Sequence, residues 1–105
     1  MAQYGITRVR LDASGAHVDA VEYRAIIRGG ERGWKVGPPI QVLKPAMLDI
    51  VRTPGNFVIT MPLAANGNYY KGQPVAVERG PNGTYYLESV ADGIERNNLR
   101  ALPAF

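Results

Sequence analysis

The sequence predicts an α+β domain: a mainly antiparallel sheet built from two hairpin regions, with one short helix packed on a face. Three observations carry this expectation. Residues 5–28 hold two β-rich runs around the turn "DASG". Residues 75–90 repeat that arrangement around "GPNG". Between them lies a single stretch with helical spacing, "KPAMLDIVRTPG".

The first run, "GITRVRL" (5–11), alternates. Thr7, Val9 and Leu11 fall on one face, and Ile6, Arg8 and Arg10 on the other. Asp12, Ser14 and Gly15 supply turn chemistry, and "HVDAVEYRAIIR" (17–28) returns as the partner strand. "GGERG" (29–33) is a turn, and "WKV" (34–36) has the length of a short strand after it. The only tryptophan, Trp34, is expected to cover one end of the core, with ligand stacking as the alternative.

In residues 44–55, Pro45 suits the first helical position, where its missing N–H costs nothing. Met47, Leu48, Ile50 and Val51 form one apolar stripe, and Thr53-Pro54-Gly55 stops the helix. A helix of two turns needs a sheet beneath it to persist. "NFVITM" (56–61) is β-rich. "PLAANGNYYKGQP" (62–74) is a loop carrying Tyr69, Tyr70 and Lys71. "VAVER" (75–79) and "TYYLESV" (84–90) form the second hairpin.

Composition bounds function. At 105 residues the chain is one domain, 1–105, with 91–105 read as a wrapped tail. No apolar run approaches the roughly 18 residues that a membrane span requires, and "MAQYGITRVR" lacks a signal-peptide core. A cytoplasmic protein without membrane contact is expected. Cysteine is absent and histidine occurs once, as His17, so thiolate metal sites and multi-histidine sites are not expected. His17 reads as a solvated hairpin residue. The acids Asp12, Asp49, Glu78 and Asp92 are scattered, and no phosphate loop follows a strand into a helix. The expectation is a non-enzymatic protein with no cofactor and no metal. Net charge is +3, and most of the 12 basic residues are arginine, which matches phosphate and carboxylate bidentately. That charge is too small to indicate duplex DNA. Open sheet edges point to a homo-oligomer assembled by strand addition.

The tail "ADGIERNNLRALPAF" has neither strand alternation nor an uninterrupted helical run. Asn97 and Asn98 tolerate left-handed backbone and can bond local backbone groups. Leu99, Leu102 and Phe105 are apolar at a spacing of three, so on physical grounds the leucines plug the core while the asparagines cap turns. Together, "ITRVRLDASGAHVDAVEYR", the short helix before "PGNFVIT", and "GTYYLESVADGIERNNLRALP" resemble the bacterial and phage family known as domain of unknown function 3892. The likeness covers residues 6–28 and 47–103. It leaves 29–43, with "GGERGWKVGPP", as an insertion or loop, and it implies no activity.

More distantly, the chain is similar to phage anti-Thoeris proteins of the first type, through a small sheet, a short helix and an Asn-Asn-Leu ending. That resemblance implies an oligomeric protein that sequesters a cyclic nucleotide signal without turning it over. This chain departs from the pattern at Glu88, where a basic residue is expected after Tyr86-Leu87. A carboxylate there repels phosphate, so a ligand would sit elsewhere or differ in kind.

The first functional expectation is therefore binding of a small phosphate-bearing nucleotide. Arg8, Arg10, Arg24 and Arg28 on the first hairpin, Tyr69 and Tyr70 in the loop, and Asn97, Asn98 and Arg100 in the tail are the candidate ligand-binding residues. A small structural or protein-interaction module is the alternative. RNA or single-strand binding comes third and is disfavoured, because only "VEYRAIIR" interleaves aromatic and basic residues.

Overall fold

A computed structural model describes residues 2–89 and 98–105 of the chain. The strands are β1 (Ala2–Leu11), β2 (Val18–Arg28), β3 (Trp34–Val36), β4 (Ile40–Leu43), β5 (Asn56–Thr60), β6 (Val75–Arg79) and β7 (Tyr85–Ser89). One helix, α1 (Lys44–Arg52), lies between β4 and β5, and a short 3-10 turn spans Leu99–Ala101. The architecture is α+β, mostly strands with a single α-helix among the described residues.

The main sheet has five strands and is mixed. β1 and β2 form the expected antiparallel hairpin, and β3 and β4 both pair antiparallel along the other edge of β2, one at each end. β5 pairs with β1 in parallel, from Ala2↔Asn56 to Ile6↔Thr60. The purely hairpin-based expectation misses this pair. After α1 crosses the sheet, the chain comes back along the open edge of β1 in the same direction as β1 itself. β6 and β7 form a separate two-stranded antiparallel sheet. Within residues 29–43 lie β3, the short strand expected at 34–36, and β4.

The expected alternation in β1 is corrected by a bulge. The register slips between Ile6↔Tyr23 and Arg8↔Glu22, which leaves Thr7 as the extra residue. Ile6 and Val9 consequently both enter the core, although strict alternation puts them on opposite faces. Thr7 is buried as well. Its hydroxyl donates to the buried Glu22 carboxylate at 2.9 Å. A polar residue at the bulge thus satisfies a carboxylate that burial would otherwise penalise.

α1 packs Met47 and Leu48 against Ile6, Val9, Val21, Tyr23 and Val58, with Ile50 and Val51 partly buried beside them. The residue after Leu43 starts the helix, with proline in its first turn, and Thr53 ends it by bonding back to Asp49 O through both N–H and Oγ1. Leu87 and Val75 bring the second sheet into the same core.

Leu99 and Leu102 are buried in that core, and Val9 N–H donates to Pro103 O at 3.0 Å. The leucines therefore plug the core as expected. Asn98 does not cap the turn it precedes. No helix among the described residues is long and apolar enough to cross a membrane.

Candidate functional site: a basic and aromatic face opposite the helix

Cross-strand partners share a face, so the register assigns sides to the arginines. Ile6 and Tyr23, which are partners, lie on the helix side. Arg24, partnered by Gly5, and Arg28, partnered by Trp34, lie on the opposite side. The loop 62–74 between β5 and β6 folds toward this second face.

Three cationic side chains gather around two rings there. The Arg32 guanidinium stands 4.7 Å from the centre of the Trp34 ring, and Lys71 Nζ stands 5.3 Å from it. Arg24 lies 5.4 Å from the Tyr69 ring centre. Arg32 Nη1 also donates to Tyr69 O at 2.6 Å, tying the β2–β3 turn to the loop 62–74. Gly33, at φ +82, lets the chain turn into β3 where a side-chain-bearing residue would be strained.

Arg24 is fixed from below by donation from Nη1 to Gly37 O at 2.9 Å. Its Nε is buried and has no hydrogen-bond partner among the described residues. Cation–π contacts at exposed positions are worth only about 0.5–1 kcal/mol each, so this cluster is a weakly held, rearrangeable surface.

Trp34 forms a wall between two concavities. One, of about 260 Å³, is lined by Gln3, Ile26, Arg28, Gly33, Trp34 and Lys71. The other, of about 390 Å³, is bounded chiefly by Arg32, Trp34, Lys35, Asn68 and Tyr69. Among the described residues, no carboxylate lines either. Trp34 is half-buried and stands outside the core cluster, so it does not cover the core.

The other candidates fall elsewhere. Arg8 pairs with Glu22 at 3.7 Å and Arg10 with Asp19 at 3.4 Å, so both are engaged with acids. Those are the ion pairs among the described residues, and Arg24, Arg28, Arg32, Lys35 and Lys71 take part in neither. Tyr70 donates its N–H to Pro62 O within the loop and does not line the Trp34 concavities.

Arg100 Nη1 reaches Ala16 O at 3.1 Å. With Asn98 it edges a separate small concavity that also contains Glu88. Asn97 lies outside the described residues. His17 is half-buried rather than solvated, because its ring stacks on Tyr86 with centres 3.8 Å apart.

Arg24, Arg28 and Tyr69 are therefore the anticipated residues that come together. Arg32, Trp34, Lys35 and Lys71 complete the group. The sequence signal for them is the interleaving of cations and an aromatic in "ERGWK", a stretch the resemblance does not cover.

The family of proteins of unknown function DUF3892 matches this chain over residues 5–103. The chain belongs to the DUF3892 family. The DUF3892 match runs through the β2–β3 turn, β3 and β4, so the Trp34 cluster lies inside the matched region. Nothing among curated proteins or solved structures matches the chain.

Proposed function

We propose that this DUF3892 protein binds a small phosphate-bearing nucleotide at the Trp34 face and holds it without chemical change. The observation supporting this most is the Trp34 ring standing between two cation-lined concavities with no carboxylate among the described residues that line them. Phosphate oxygens accept from guanidinium and ammonium groups, and a base offers a π-face to an aromatic wall. Arg28 and Lys71 on one side, and Arg32 and Lys35 on the other, take the phosphate. Trp34 and Tyr69 take the base. The lining is made of cations, amides, aromatics and aliphatic groups, a set suited to binding rather than bond cleavage. Sequestration of a nucleotide signal in the cytoplasm, which the anti-Thoeris resemblance implies, is the role this chemistry fits. Residues 98–105 close the fold, with Leu99 and Leu102 in the core and Arg100 held on Ala16, away from the Trp34 face.

Calorimetric titration with adenosine monophosphate and cyclic AMP tests the reading. Saturable heat is expected, with affinity falling about 5- to 150-fold in Trp34→Ala, the range of one lost base–aromatic stack. Absence of heat with every nucleotide at high protein concentration overturns it.

A protein-interaction role is favoured by one feature, the β4 edge. Leu43 and Ile40 are 59% and 44% exposed on an uncharged strand paired on one side only, by β2. Strand addition between two copies would cover that edge, and sedimentation at rising concentration reports it.

A further inference from the structure

Trp34 is already occupied by the protein's own cations, which is unexpected for an open stacking wall. Arg32 sits over the ring and at the same time bonds Tyr69 O across to the loop 62–74. This one exposed side chain joins the two loops that bound the site, and it is built from a turn with three glycines at positive φ, Gly29, Gly30 and Gly33. A turn of that composition moves at little steric cost. Both bonds that hold Arg32 are electrostatic and solvent-facing, so an anion competes for the guanidinium directly, whereas a neutral molecule offers it nothing better.

We propose that Arg32 is a ligand-operated latch. Closed, it covers the Trp34 indole and pins the loop 62–74 through Tyr69. An anionic group entering the larger concavity draws the guanidinium off the ring, releases Tyr69 O and uncovers the indole for the rest of the ligand. The latch rests on the nucleotide-binding reading for its natural ligand, but its closed state is a property of the free protein. It makes Arg32 a specificity-determining residue: anionic ligands open the site and uncharged ones do not.

The single tryptophan makes the test direct, with acrylamide as a neutral quencher of Trp34 emission. In the free protein, Arg32→Ala should raise the quenching constant about two-fold and speed amide exchange in residues 62–74. Inorganic pyrophosphate should raise quenching in the wild type and leave Arg32→Ala unchanged. Lys71→Ala should keep the pyrophosphate response at weaker affinity. Equal quenching in wild type and Arg32→Ala overturns the latch, whatever the nucleotide titrations show. Higher quenching in the variant with no pyrophosphate response in the wild type overturns its operation by anions. A response to pyrophosphate without binding of any nucleotide supports the latch while removing the nucleotide reading.

Discussion

The imidazole of His17 lies 3.8 Å from the ring of Tyr86 and within 15° of parallel to it. Lys44 Nζ stands 5.4 Å from the centre of the same ring. The β1–β2 turn, the start of α1 and the second sheet thus meet on one tyrosine. Tyr86→Ala should cost about 2 kcal/mol, below the usual loss for a fully buried aromatic because Tyr86 is half-exposed. Tyr86→Phe, which keeps the ring, should change stability by under about 0.5 kcal/mol. Urea unfolding of both variants checks this.

Gly5 packs against Met61. A Cβ on Gly5 would lie 2.6 Å from Met61 Sδ and 2.7 Å from Met61 Cβ. The sulfur can swing away but the Cβ cannot without moving the backbone that follows β5. Gly5→Ala should therefore destabilise the protein by about 2–3 kcal/mol, the cost of overpacking, with a matching drop in urea midpoint.

Leu99 is buried among residues of both sheets and α1, although it lies in the tail. Leu99→Ala should cost about 2–5 kcal/mol if the tail is a fixed part of the fold. The Val9 amide, bonded to Pro103 O, should then exchange faster than in the wild type. A change under about 0.5 kcal/mol would mean that the tail merely rests on the core.

Asp12 accepts from both the hydroxyl and the N–H of Ser14 in the first hairpin turn. The hydrogen bond from the Ser14 hydroxyl, more than those from backbone N–H groups, holds the Asp12 carboxyl below its ordinary value. A depressed carboxyl stabilises the fold above its unfolded pKa and loses that contribution as pH falls through the folded one. The turn should therefore loosen only below about pH 4. NMR titration of the Ser14 amide should show a midpoint below that of free aspartate, and Ser14→Ala should move it up.

Local features were legible in the sequence because local chemistry sets them. Both hairpins, the helix at 44–52 and the core positions Met47 and Leu48 follow from periodicity, turn residues and Pro45. The parallel β1–β5 pair was not legible, since the residues of β5 read the same whichever edge they join. The bulge at Thr7 was hidden for a related reason: "ITRVR" alternates in sequence, and only the buried Glu22 opposite it makes the slip favourable. In the site, Arg24 and Arg28 could be placed on one face by their spacing of four. That Arg8 and Arg10 are tied to Glu22 and Asp19 depends on cross-strand register, which the sequence alone leaves open. Trp34 could be joined to Lys71 and Tyr69 only through a contact between two loops more than thirty positions apart.

The most direct measurement of the central claim is the Trp34 indole N–H resonance during titration with adenosine monophosphate. Trp34 is the only tryptophan, so the signal is unambiguous. A saturable shift of that resonance, accompanied by residues 67–71 and weakened about ten-fold in Arg28→Ala, is the predicted result, ten-fold being one lost charge-assisted contact. An indole signal that stays fixed while adenosine monophosphate reaches millimolar excess would contradict the account.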